Sequence, residues 1–212
     1  MNFYGLRDTT YWAKWWKDRK IDWKTSYLDT WDHPHRKLIV NVLSNLNWHS
    51  LMEVGCGAGA NLVNIVRLLP GKQLGGVDVN PEAIALASKT FVGGHFKVGS
   101  VDDILMSDKS ADVILSDMCL IYTGPRKIES TLRELKRVAR SYLVLCEFHS
   151  DSWFNRLALR WNTGYNAHNY PKILEKIGCY DIRTYKLKEE DWPGGNPQKT
   201  FAYIIVAKIT KN

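Results

Sequence analysis

The 212-residue sequence lacks the features of disulfide-bonded, zinc-binding and membrane-spanning proteins. Its four cysteines (Cys56, Cys119, Cys146 and Cys179) are scattered and form no C-x-x-C pair, which argues against a disulfide framework and a zinc site. No apolar run approaches the roughly 18 residues of a membrane span, and Met1–Thr10 has no signal-peptide pattern. We therefore expect a soluble, cytoplasmic protein with reduced cysteines, no metal and no membrane partner.

A strong charge excess is also missing. The net charge is +7, from 29 Lys and Arg against 22 Asp and Glu. This balance suits an acidic ligand or a nucleic acid as well as ordinary solubility. No block of five or six like charges indicates a nucleic-acid tail, so a nucleic-acid partner is possible but not favoured.

Tryptophan, by contrast, is abundant and concentrated near the N-terminus. Of nine tryptophans, five fall in the first 31 residues: Trp12, Trp15, Trp16, Trp23 and Trp31. Aromatic rings bury large areas and favour half-wet sites. Residues 1–34 are therefore predicted to form an aromatic cap segment, which either clamps onto the main body or covers a ligand as a lid.

Residues 35–212 are predicted to form one α/β domain. Short apolar runs alternate with amphipathic helical patterns, as in right-handed βαβ units. Among them we expect a helix at 125–139, a strand at 142–148, and two last strands at 180–186 and 200–208 without a helix between them. The expected fold is a Rossmann-like three-layer sandwich with a seven-stranded, mostly parallel sheet whose last strand is antiparallel. An insert at about 149–170 is expected to lie on the substrate side.

A glycine-rich loop follows the first strand of this domain. The loop reads Gly55-x-Gly57-x-Gly59, with Glu53 before it and Asp78 19 residues after Gly59. Glycines allow a sharp turn and close approach of a ligand, and a carboxylate ending the next strand accepts hydrogen bonds from a ribose. The pattern predicts a nucleoside-bearing cofactor. The loop also fits the dinucleotide pattern, but an acid inside the strand and the absence of Tyr-x-x-x-Lys disfavour hydride transfer.

Four segments resemble the ordered motifs of the class I S-adenosylmethionine-dependent methyltransferases: residues 51–59, 76–81, 98–103 and 112–118. The resemblance implies that Asp78 binds the ribose hydroxyls and that 98–103 contact the adenine, although Ser100 stands where the family often has an acid. The cofactor-binding residues implied are Glu53, Gly55, Gly57, Gly59, Asp78, Val79, Ser100, Val101, Asp102 and Ser116.

Candidate catalytic and substrate-binding residues lie at strand ends or in the covering segments. His149 follows the fifth strand and is a candidate base, although a polar loop residue is the alternative. Asp117 at the end of the fourth strand and His168 in the insert are further catalytic candidates. The candidate substrate-binding residues are His33, His35, Tyr122 and Tyr165.

The expected function is methyl transfer from S-adenosylmethionine to an oxygen or nitrogen of a small molecule. A small acceptor is favoured because a chain of this length has no room for a separate recognition domain, and an aromatic lid suits a dry pocket. Methylation of RNA or protein, and a non-catalytic cofactor-binding scaffold, stay open as alternatives. The sequence does not indicate the oligomeric state.

Overall fold

A computed structural model describes residues 9–195 and 197–209 of the chain. These residues form the strands β1 (Ser50–Val54), β2 (Gln73–Asp78), β3 (His95–Val98), β4 (Ala111–Asp117), β5 (Ala139–Phe148), β6 (Tyr180–Lys186) and β7 (Ala202–Lys208). The α-helices are α1 (Thr9–Lys17), α2 (Trp23–Ser26), α3 (Pro34–Ser44), α4 (Ala60–Leu68), α5 (Pro81–Thr90), α6 (Ile128–Val138), α7 (Trp153–Thr163), α8 (Tyr170–Lys176) and α9 (Gln198–Phe201). Two 3₁₀ helices lie at Leu28–Thr30 and Leu120–Tyr122.

The seven strands form one sheet in the order β3-β2-β1-β4-β5-β7-β6. Strands β1 to β5 pair in parallel, and β7 lies antiparallel between β5 and β6. This arrangement confirms the predicted Rossmann-like sheet. Helix α9 lies between β6 and β7, where the sequence predicted no helix.

The central strands are buried on both faces, because helices cover each side of the sheet. On β1, Leu51 belongs to one hydrophobic cluster with Ile39 of α3 and Leu62 of α4. The next residue, Met52, belongs to a second cluster with Leu132 of α6. Alternate side chains therefore enter different cores, as expected when a parallel sheet lies between two helical layers.

The N-terminal segment packs beside the carboxyl ends of β1 and β2. Trp23 and Leu28 form a third hydrophobic cluster with Ala58 and Ala83. Residues 1–8 of the predicted cap lie outside the described residues, and the division of the chain at residue 34 stays a prediction.

Several elements differ from the sequence prediction, among them α6, β5 and α7. Helix α6 begins at Ile128, three residues later than expected, and β5 begins at Ala139 directly after it. Helix α7 occupies the insert, where no helix was predicted; its N-cap is Ser152, whose side chain accepts from the backbone N–H of Asn155. Within the described ranges, no helix is long and apolar enough to cross a membrane.

Candidate active site

The carboxyl ends of β1, β2 and β4 meet at one edge of the sheet, because these strands are parallel neighbours. They bring Gly55, Asp78 and Asp117 together around a cavity of about 510 Å³. The strand order reverses between β1 and β4, which is where open α/β sheets bind ligands. The volume lies within the range of small-molecule sites, about 300–1,000 Å³.

The glycine loop forms one wall of this cavity. Gly55 and Gly57 adopt left-handed backbone conformations, with φ of 68° and 51°. A side chain at Gly55 would collide with Cys119, and a Cβ at Gly57 would lie 3.4 Å from the ring of Tyr27. The backbone N–H of Gly57 donates to Asp78 Oδ2 at 2.9 Å. This hydrogen bond fixes the turn beside Asp78, the acid that ends the neighbouring strand β2.

Asp78 presents its carboxylate to the cavity beside Val79. Its Oδ1 accepts from the backbone N–H of Asn80 at 2.8 Å. Burial raises the pKa of Asp78, while the backbone N–H groups of Asn80 and Gly57 act in the opposite direction. Each carboxylate oxygen keeps a further lone pair, so the group can still accept hydrogen bonds from a ligand.

The loop after β3 lies on the same side of the cavity. Ser100, Val101 and Asp102 all line it. The hydroxyl of Ser100 donates to Asp102 Oδ1, and Lys127 Nζ lies 3.6 Å from Asp102 Oδ2. These polar contacts hold the loop at the cavity that Asp78 also lines.

Asp117 forms the centre of a buried polar cluster at the end of β4. Its Oδ2 accepts from His35 Nε2, Arg36 Nη1 and Asn61 Nδ2, each at 3.0 Å. Burial alone would raise the pKa of Asp117, but His35, Arg36 and Asn61 outweigh it and hold the pKa well below the usual range. Its buried Oδ1 has no hydrogen-bond partner among the described residues. A ligand with a cationic or N–H group would satisfy that oxygen.

Glu53 contacts this cluster through Asn61. Its Oε1 accepts from Asn61 Nδ2 at 2.6 Å, and Asn61 Oδ1 in turn accepts from Arg36 at 2.9 Å. Burial raises the pKa of Glu53 to about 8. Glu53 is not among the residues that line the cavity, so it orients Asn61 instead of reaching a ligand.

Two histidines extend the cluster toward the N-terminal segment. The Nδ1 atoms of His33 and His35 lie 2.5 Å apart, and the ring of Trp192 stacks on His35 at a centroid distance of 4.0 Å. Both histidines and Trp192 line the cavity. The sequence predicted the two histidines as substrate-binding residues but did not indicate their connection to Asp117.

Aromatic rings cover the remaining wall. Trp12 of α1 lies 4.9 Å from Tyr122 and 6.1 Å from Tyr165 between ring centroids. Trp16, also on α1, lies 5.9 Å from Tyr27 between ring centroids. Helix α1 therefore contacts the wall both at Tyr122 and at Tyr27. The N-terminal segment thus covers one side of the cavity, and the two candidate substrate-binding tyrosines line it.

Residues 51–141 match the model of a family described as a methyltransferase domain. This segment is therefore similar to a methyltransferase domain. The matched segment contains the glycine loop, Asp78 and Asp117, and it confirms the family resemblance predicted from the motifs.

Two curated relatives share part of the sequence. The chain is 25% identical over 149 residues to "Uncharacterized methyltransferase C25B8.09" of Schizosaccharomyces pombe, covering 68% of this chain and 53% of the relative. It is 27% identical over 100 residues to the tRNA1(Val) (adenine(37)-N6)-methyltransferase of Flavobacteriaceae bacterium strain 3519-10, covering 45% and 43%. The chain therefore spans about half the length of these curated relatives.

Solved structures share the fold of this chain. A chain from the complex that contains the Haloferax volcanii Trm112 methyltransferase activator superposes with a TM-score of 0.68 at 15% identity, covering 94% of this chain and 97% of that one. The geranyl diphosphate C-methyltransferase of Streptomyces coelicolor A3(2), solved with S-adenosyl-L-homocysteine, gives a TM-score of 0.65 at 12% identity, covering 82% and 79%.

Five predicted site residues do not line this cavity: Glu53, Gly59, Ser116, His149 and His168. The ring of His149 contacts the insert, since His149 Nδ1 lies 3.0 Å from the carbonyl oxygen of His168. His168 Nε2 lies 2.9 Å from the carbonyl oxygen of Thr123, and burial lowers the pKa of His168 to about 4. The structure therefore places both rings where they fix the insert to the sheet.

Glu147, on β5, is a positioning residue that the sequence analysis missed. Its Oε1 accepts from the Ser116 hydroxyl at 2.6 Å and from the backbone N–H groups of Cys119 and Leu120 at 3.0 Å, and its Oε2 accepts from that of Ile121 at 3.2 Å. These bonds hold the loop that carries Tyr122 into the cavity. An acid inside an otherwise apolar strand was the signal that could have identified it.

Proposed function

We propose that the methyltransferase domain transfers a methyl group from S-adenosylmethionine to an oxygen or nitrogen atom of a small-molecule acceptor. One observation carries this proposal: one cavity is lined by Gly55 and Gly57 of the glycine loop and by the acids Asp78 and Asp117. The buried Oδ1 of Asp117 has no hydrogen-bond partner among the described residues. A cytoplasmic location belongs to the same proposal.

The residues around the cavity fit this cofactor. Asp78 would accept the ribose hydroxyls, and Ser100 to Asp102 would contact the adenine. Asp117 Oδ1 supplies the buried acceptor that an ammonium group needs, and the guanidinium of Arg36, 3.0 Å from Asp117, suits a carboxylate. When bound, the sulfonium supplies an activated methyl group, so the protein mainly positions the acceptor and excludes water.

The enclosing aromatic wall favours a small acceptor over a macromolecule. Trp12, Trp16, Tyr122 and Tyr165 leave a pocket whose size suits a small molecule beside the cofactor. RNA is the second candidate, because one relative acts on tRNA and the net charge is +7. Binding that weakens steeply as salt rises would favour RNA.

Calorimetric titration with S-adenosylmethionine tests cofactor binding. Asp78→Asn should weaken binding by about 1–3 kcal/mol, the scale of charged hydrogen bonds. Asp108→Asn is the matched control, since Asp108 is exposed and pairs with Arg137 outside the cavity. Equal affinities in all three proteins would contradict the ribose-binding role of Asp78.

Incubation with a methyl-labelled donor tests the acceptor. Metabolite extract, total RNA and protein are offered separately, and we expect label in the metabolite fraction. Label in RNA or protein would replace the small-molecule proposal, and cofactor binding without label in any fraction would favour a non-catalytic scaffold.

A further inference from the structure

Helix α7 presents an apolar stripe to solvent. Trp153, Phe154, Leu157 and Trp161 are 68%, 63%, 53% and 63% exposed. Their spacing (i, i+1, i+4 and i+8) places them on one face of the helix, and we call these four side chains the α7 stripe. Single exposed apolar residues are ordinary, whereas a contiguous apolar patch marks an interaction site.

Other residues of α7 hold the helix to the protein. The side chain of Ser152 caps its first turn, and Leu159 is its buried residue. Trp153, Phe154 and Leu157 point away from that contact and are mostly exposed. Substitution of these three side chains should therefore leave the fold intact.

Two arginines flank the α7 stripe. By the 3.6-residue period of a helix, Arg156 and Arg160 lie between the stripe and the buried Leu159, and α7 contains no acid. Arg156 Nη1 donates to the carbonyl oxygens of Ser150 and Asp151 at 2.8 and 2.9 Å. A guanidinium has five N–H groups, so Arg156 keeps further donors that suit a phosphate.

The loop before α6 adds positive charge beside α7. A Cβ at Gly124 would lie 3.9 Å from Arg160 Nη1, and Arg126 and Lys127 follow this glycine with exposed side chains. Lys127 also faces Asp102 at 3.6 Å, so Arg126 contributes more of the charge. An anionic surface is complementary to this side of a protein whose net charge is +7.

The α7 stripe is small for a protein partner. An aromatic side chain buries 150–250 Å² when fully covered, so four large side chains with these exposures offer roughly 400–600 Å². A specific protein–protein interface covers about 800 Å² on each side. A helix that lies on a membrane needs only its own apolar face, rich in Trp, Phe and Leu, with Lys or Arg beside it.

We propose that the α7 stripe docks on an anionic lipid surface. Trp153, Phe154 and Leu157 enter the boundary between the headgroups and the acyl chains, and Arg156 and Arg160 lie at the level of the phosphates. The sequence predicted no membrane partner because it lacks a span. A helix that lies in the surface needs no span, and the 11 residues of α7 are too few to cross a bilayer.

Docking in this way places the cavity close to the lipid. Helix α7 follows β5, which runs parallel to β4 and ends at the same edge of the sheet. Tyr165, which lines the cavity, comes directly after Gly164 at the end of α7. A Cβ at Gly124 would lie 3.6 Å from Thr9, another lining residue, and 3.9 Å from Arg160.

Co-sedimentation of the full-length protein with vesicles tests the proposal without donor or acceptor. Vesicles of phosphatidylglycerol and phosphatidylcholine in equal parts are compared with vesicles of phosphatidylcholine alone. We expect binding to the mixed vesicles to weaken as salt rises, and binding to the neutral vesicles to be weaker by about tenfold or more. No binding to the mixed vesicles, or equal binding to both kinds, would overturn the proposal.

Substitutions in the α7 stripe test whether this helix makes the contact. Trp153→Ser together with Phe154→Ser should weaken binding to the mixed vesicles by about tenfold or more, and Leu157→Ser by about three- to tenfold. Leu68→Ser is the matched control for Leu157→Ser, since Leu68 is 57% exposed on α4, and it should bind as the wild type does. A stripe variant that binds like the wild type, or an equal loss in Leu68→Ser, would refute the assignment.

Two further measurements complete the test. The stripe variants should keep the urea midpoint of the wild type, and a lowered midpoint would mean that the stripe serves the fold instead. Sedimentation equilibrium should give the same mass for the wild type and for the variant that combines Trp153→Ser and Phe154→Ser. A wild-type oligomer that this variant dissociates would assign the α7 stripe to a contact between copies. Failure to bind S-adenosylmethionine would overturn the proposed function and leave this proposal standing.

Discussion

Replacing Glu53 with glutamine should remove a large part of the pH dependence of folding stability. The pKa of Glu53 is about 8 in the folded protein against an ordinary value of 4.5, because the side chain is buried and, among the described residues, it accepts a hydrogen bond from Asn61 alone. A group whose folded pKa is raised stabilises the protein fully below the unfolded pKa and loses that contribution as pH rises through the folded pKa. The relevant window therefore runs from about pH 4.5 to about pH 8.

The size of the effect follows from the shift. A shift of roughly 3.5 units at about 1.4 kcal/mol per unit gives an upper limit of about 5 kcal/mol. Glutamine has the shape of the protonated acid and carries no charge at any pH. The stability of the wild type relative to Glu53→Gln should thus fall by several kcal/mol, on the order of 3–5, as the pH rises through this window.

Urea denaturation at a series of pH values between about 5 and 9 measures this difference. Glu175→Gln is the control, since Glu175 is exposed on α8, and its curve should run parallel to that of the wild type. If the curves of the wild type and Glu53→Gln also run parallel, Glu53 is ionised in the folded state and the reasoning fails.

Two further substitutions probe the loops around the cavity. Gly57→Ala should cost about 1–2 kcal/mol of unfolding free energy because its φ of 51° is left-handed; an unchanged urea midpoint would show that the loop relaxes freely. Glu147→Gln should cost about 1–3 kcal/mol, because its amide nitrogen can no longer accept the N–H of Ile121. The same urea titration measures it, and a stability equal to that of the wild type would mean that water replaces the lost acceptor.

Local patterns were sufficient to predict the sheet and the glycine loop. Each central strand is a short apolar run because it is buried on both faces. The cap of α5 is also local: Asn80 accepts from the backbone N–H groups of Glu82 and Ala83, and Pro81 occupies the first helical position. These features depend on residues within a few positions of one another.

Helix α7 was missed although its sequence has helical spacing. Trp153, Phe154 and Leu157 follow that spacing, but they are 68%, 63% and 53% exposed, and Leu159 is the buried residue of the helix. An apolar stripe that faces solvent lacks the polar opposite face by which a core-facing helix is predicted from sequence.

The polar cluster of the cavity could not be predicted from sequence spacing. His35 and Asp117 are 82 positions apart, and Arg36 and Asn61 are 25 apart. Their convergence depends on how α3 and α4 pack at the end of β4. Conversely, His149 was predicted from its place after β5, and the structure turns its ring toward the insert.

Asn80 joins the predicted ribose site to the N-terminal segment. The Oδ1 of Asn80 caps α5. Its Nδ2 lies within hydrogen-bond distance of the carbonyl oxygens of Trp16 and Arg19 in the N-terminal segment. Asp78 is two residues away. Residues 78–80 thus link the predicted nucleoside pocket to the N-terminal segment, so a bound nucleoside should protect the peptide bonds around Arg19 from trypsin.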